Sequence, residues 1–136
     1  MPKRRRGART ALPRSSLIHV PFERLVERAL AAIPSPFREA LGEVAVVIDD
    51  EPTPEQRREN ELPDGDTLYG LYEGVPRTEY GADWSAVPNR ITLFRLPLEE
   101  DFGDPSDLAD EVRITVIHEL AHHLGIDDDR LEELGV

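Results

Sequence analysis

The sequence predicts an α+β domain, and two observations carry that expectation. Apolar residues recur at helical spacing at the beginning and end of the chain, while β-branched and aromatic runs cluster in between. No internal repeat is visible. At 136 residues the chain is one domain on length, long enough to bury a core without disulfides or metal staples. Any metal site is therefore a candidate for function before it is one for folding. The division expected is a basic N-terminal tail over 1–16 and a globular domain over 17–136.

In "VPFERLVERALAAI" the residues Phe22, Leu25, Val26, Ala29, Leu30 and Ile33 fall at helical intervals with Glu and Arg between them, which predicts an amphipathic helix. "PSPFREALG" follows as a short helix, Pro36 tolerated in its first turn and Gly42 a stop. "EVAVVID", residues 43–49, reads as a buried strand. "DEPTPEQRRENELPDGD" is punctuated by Pro52, Pro54, Pro63 and Gly65, so it is a loop with room for one helical turn after Pro54. "TLYGLYEG" and "NRITLFRL" read as strands, and the Gly- and Pro-containing "VPRTEYGADWSAVP" between them as irregular structure that could lie over a cleft. "GDPSDLADEVRITVIHELAHHLG" carries the strongest helix signals: Asp104 as cap, Pro105 at the first helical position, Asp107 and Asp110 near the positive end of the dipole, and Gly125 as stop. Leu108, Val112, Val116, Leu120 and Leu124 recur every four residues, so this helix should run through the middle of the domain. "DDRLEELG" closes the chain as a short helix.

Composition removes several classes of function. With no cysteine, thiolate zinc sites, disulfide frameworks and thiol nucleophiles are excluded, so a metal here must be held by imidazole and carboxylate. No apolar run approaches the roughly 20 residues that span a bilayer, and no hydrophobic stretch follows the basic start to make a signal peptide. The expected compartment is the cytoplasm. The net charge of -12 is unevenly spread: residues 1–14 hold six basic side chains and no acid, leaving 10 basic against 28 acidic groups elsewhere. So acidic a body repels phosphate backbones, which argues against nucleic acid as a main partner and leaves only weak contact through the basic tail.

Chemistry concentrates in "VIHELAHHLGIDDDRL", residues 116–131. His118 and His122 are four apart on a helix, so both imidazoles stand on one face and can reach a single zinc ion. Glu119 is rotated about 100° around the axis. It can stand beside the metal as general base, which is the role of Glu in H-E-x-x-H. Two histidines on an ordinary helix are the bland alternative, but this is the most apolar helix in the sequence, where ionisable groups need partners. The match extends to H-E-x-x-H-x-x-G-x-x-D, with Gly125 turning the chain and Asp128 as third ligand. Asp127 and Asp129 remain open as third ligand through a one-residue shift, and Glu132 and Glu133 are poorer candidates. His123 points away from the metal face, as a residue behind the ligands or on the surface. His19 is isolated and reads as structural or solvated. Tyr69, Tyr72, Tyr80 and Arg77 read as packing or surface, so no electrophilic helper is named.

On these residues the chain resembles the zincin superfamily, and more narrowly the small bacterial minimal zincins that end in a motif much like "HELAHHLGIDDDRLEELG". The resemblance implies a minimal zincin-like fold, a small twisted sheet against an active-site helix, with zinc on His118, His122 and Asp128 and Glu119 as catalytic base. It also implies a cleft edged by the strand before that helix, "NRITLFRL", with which a peptide or protein substrate could pair. The expected activity is a zinc-dependent metallopeptidase or amidase-type hydrolase. Two departures motivate a second reading, a catalytically silent zinc-binding or interaction domain: the only Met is Met1, so no methionine turn underlies the metal, and only eight residues follow Asp128.

Overall fold

Helix α1 (Phe22–Ala31) forms where the apolar spacing demands it, and buries Phe22, Leu25, Val26 and Ala29. The structure, a computed structural model, describes residues 20–74 and 89–135. The expected tail, His19, Arg77, Tyr80 and the segment "VPRTEYGADWSAVP" lie outside the described residues. Helix α2 (Phe37–Ala40) buries Phe37 and Ala40. Gly42 does not stop it, because the chain tightens into a 3₁₀ turn over Leu41–Glu43 before becoming extended at Val44.

Strand β1 (Ala45–Asp49) is only half-buried, with both ends exposed, rather than the buried strand expected over 43–49. Its place in the sheet explains this. The three-stranded sheet has the order β1-β3-β2, where β2 is Gly70–Glu73 and β3 is Arg90–Phe94, so β1 is paired on one side alone. It runs parallel to β3, Val46 opposite Ile91 and Ile48 opposite Leu93. Strand β2 runs antiparallel to β3, Leu71 opposite Thr92 and Tyr72 opposite Ile91. Strand β3 is therefore central and its two backbone edges are taken. "NRITLFRL" cannot be the cleft edge that a peptide extends.

Between β1 and β2, helix α3 (Pro54–Glu59) starts at a reciprocal cap in which Thr53 accepts from the Gln56 amide and the Gln56 side chain accepts from Thr53 N–H. The predicted strand through Leu96 instead ends at Phe94 and becomes helix α4 (Arg95–Asp101). Pro97 is compatible with this because it sits in the first turn, where its missing N–H costs nothing.

Helix α5 (Pro105–Leu124) opens with Asp104 accepting from the amides of Ser106 and Asp107, and closes at Gly125, whose φ of 74° is left-handed. It packs against α1, α2, α4, β2 and β3. Ile91 and Leu93 of the sheet join α1 and α5 in the main core, whereas Leu71 and Phe94 point to the opposite face and pack with Leu68 and Leu62. Helix α6 (Asp128–Glu133) is anchored by buried Leu131. The whole is α+β, a three-stranded mixed sheet packed with helices, as the sequence predicts.

Candidate functional site

Two neighbouring stripes of α5 divide the polar residues between them. Ile114, His118 and His122 are half-buried and form the more open stripe. Glu111, Thr115, Glu119 and His123, also spaced by four, form a ridge of polar side chains that is buried throughout, the last three with no exposed surface. Helical geometry makes both rows, since positions four apart stack and positions one apart diverge.

The buried ridge lies against β2. Gly70 is the close point: a Cβ there would stand 2.5 Å from Cγ2 of Thr115. One turn on, the Tyr72 amide donates to Oε1 of Glu119 at 2.9 Å. This amide points away from β3, so the helix supplies the acceptor that a further strand would have supplied and covers the sheet edge. His123 is neither solvated nor on the surface. Its Nδ1 lies 3.0 Å from the Tyr72 hydroxyl and its Nε2 2.8 Å from Oε1 of Glu43. The Tyr72 hydroxyl also lies 3.1 Å from Oδ1 of Asn89. The Tyr72 ring stands over both histidines, 4.9 Å between centroids to His122 and 5.7 Å to His123.

Sequence reasoning missed Tyr72 and Glu43 as parts of this site. Four-residue polar spacing in an apolar helix was the available signal for a buried polar ridge, but nothing local pointed to its partners. Tyr69, the other described tyrosine, does serve packing, edge-on to Phe102 with its hydroxyl 2.5 Å from Asp101.

His118 and His122 share the open stripe as expected, and a cavity of about 210 Å³ opens beside His118 between Arg113, Ile114, Ile117 and Gly135. The aspartates differ from one another. Asp127 caps α6, accepting from the Arg130 amide at 2.9 Å, while Asp128 and Asp129 are exposed in the first turn. Among the described residues no three His, Asp or Glu side chains are gathered around one point. The imidazole pair fits zinc in donor type and in its four-residue helical spacing; the structure does not draw Asp128 to it.

A sheet-and-helix domain whose longest helix carries H-E-x-x-H is of the zincin class, and sequence comparison makes the same assignment. The chain belongs to the zincin-like metallopeptidase family, whose model matches residues 41–136. Among solved structures it is similar to the conserved hypothetical protein TTHA0227 from Thermus thermophilus, at 29% identity over 84% of this chain and 94% of that one, with a TM-score of 0.48. No curated protein matches it. No helix among the described residues is long and apolar enough to cross a membrane.

Proposed function

We propose that the chain is a zinc-dependent hydrolase of the peptidase or amidase type, with His118, His122 and Asp128 as ligands and Glu119 as general base. The observation that carries this reading is the division of α5 into an open His118/His122 stripe beside a cavity and an adjacent ridge on which Glu119 is held by the Tyr72 amide. Zinc bound at that stripe would supply Lewis-acid chemistry. The residues supply the rest. Glu119, held through Oε1 by the Tyr72 amide, would take a proton from the attacking water and return it to the leaving nitrogen. The cavity bounded by Arg113, Ile117 and Gly135 would take one residue of a peptide or protein substrate.

Metal analysis and a peptidase screen on purified protein test this. Stoichiometric zinc is expected, lost in His118→Ala and His122→Ala, and Glu119→Gln should retain the metal while hydrolysis falls at least about 100-fold, the scale of a removed general base. A wild-type chain without affinity for zinc sinks the reading. The complete burial of Glu119 favours one alternative, in which this carboxylate serves the fold of a catalytically silent zinc-binding or interaction domain. In that case Glu119→Gln changes stability and no hydrolysis is found to lose.

A further inference from the structure

Two histidines four apart on a helix aim at one ion only while both imidazole planes are held, and a base beside them works only while its carboxylate faces the same point. Each side chain has rotatable bonds to be restrained, so the groups that restrain them shape the site as much as the ligands do. His122 lies on the open stripe, where α5 alone does not fix the plane of its ring. Glu119 has one oxygen to be fixed by something other than helix α5, whose interior amides are already used.

One strand residue supplies a restraint to each. We propose that Tyr72 is a positioning residue of this centre: its amide orients Glu119, its ring holds the plane of His122, and its hydroxyl is locked by His123 and Asn89, so that one residue of β2 aligns three side chains of a single turn of α5. This rests on the zinc-hydrolase reading above and adds to it the part that sets the geometry.

The contacts support each piece. The amide reaches Oε1 of Glu119 at 2.9 Å. Pairing fixes its direction, because the Tyr69 carbonyl accepts from Phe94 and Tyr72 lies one pleat out of phase with that bond. The ring stands 4.9 Å from the His122 ring at 54°, a tilted contact that penalises rotation of the imidazole. The ring cannot itself swing, since its hydroxyl is 3.0 Å from Nδ1 of His123 and 3.1 Å from Oδ1 of Asn89. His123 is anchored in turn by Glu43 at 2.8 Å. The Tyr72 hydroxyl donates to Oδ1 of Asn89, and the His123 ring stands between that hydroxyl and the Glu43 carboxylate.

The test uses the full chain and reads metal, not turnover. Zinc affinity by chelator competition and the visible spectrum of the cobalt-loaded protein are measured for wild type, Tyr72→Phe, Tyr72→Leu and Tyr69→Phe. Tyr72→Leu should weaken zinc by about 10- to 100-fold, the usual cost of losing a group that orients a ligand, and alter the cobalt spectrum. Tyr72→Phe keeps ring and amide, so its loss should be smaller, rescuing most of the affinity. Tyr69→Phe removes an equally buried hydroxyl and should leave both readouts at wild type, which separates positioning from general destabilisation. If Tyr72→Leu fails to fold, amide hydrogen exchange in the metal-free chain decides: the Tyr72 amide should be protected in wild type and lose protection in Glu119→Ala. Tyr72 variants that bind zinc like wild type, or an unprotected Tyr72 amide, overturn the positioning role alone. A wild-type chain that takes up no zinc overturns the hydrolase reading and the role with it.

Discussion

Thr115 and Gly70 meet so closely that a side chain at position 70 forces its neighbour to shift. A methyl at position 70 would lie 2.5 Å from Cγ2 of Thr115 and 3.4 Å from the Thr92 carbonyl, so Gly70→Ala must displace the Thr115 side chain or the helix that carries it. Overpacking of this kind costs about 1 to 3 kcal/mol, to be read from urea denaturation. Thr115→Ser removes the offending methyl, so the double substitution should recover much of that loss; strictly additive effects would place the strain elsewhere. The same contact shows what single residues disclose. His118, Glu119 and His122 could be sorted by helical spacing because their relations are local. Gly70, read only as part of a strand, owes its identity to a threonine on another element. The burial of His123 was equally hidden, since Tyr72 and Glu43 lie 51 and 80 positions away in the chain.

Elements were legible where their ends are chemical. Asp104 marks a helix start by accepting from amides two and three residues on, and Gly125 marks its end through a left-handed turn whose N–H donates to the carbonyls of Ala121 and His122; the structure carries both where the sequence put them. Strand order was not legible, because pairing joins Ala45–Asp49 to Arg90–Phe94 across β2 and no local pattern records which strand is central. Nor was α4, whose start at Phe94 has no capping side chain. Helix α6 puts this local chemistry to use among the three aspartates. Because Asp127 caps it through the Arg130 amide, Asp127→Ala should lower stability by about 1 kcal/mol, the typical loss of an N-cap, and leave zinc affinity near wild type. Asp128→Ala should do the reverse, sparing the melting temperature of the metal-free chain and weakening zinc. If Asp127→Ala is the variant that loses metal, the cap and the third ligand have been exchanged.

At the scale of the molecule, the question is whether the metal holds the fold together or sits on a fold already made. Helices α1 and α5, the sheet residues Ile91 and Leu93, and Leu131 of α6 share one buried cluster, with Ile91, Leu93, Val112, Val116 and Leu120 wholly inaccessible. Deep burial of an aliphatic side chain contributes about 1.5 to 3 kcal/mol, and none of these contacts passes through His118, His122 or Asp128. The chain should therefore remain cooperatively folded after dialysis against a chelator, unlike small domains whose folding free energy is metal-binding free energy. Zinc should then act by mass action alone, adding about 2.7 kcal/mol when free metal is 100-fold above its dissociation constant and raising the melting temperature by several degrees. His118→Ala should abolish that rise without lowering the metal-free melt. Collapse of the wild-type fold on chelation would reverse the assignment, because an ion on which the whole core depends is a structural one, and the catalytically silent reading would then account for the family motif better than hydrolysis does.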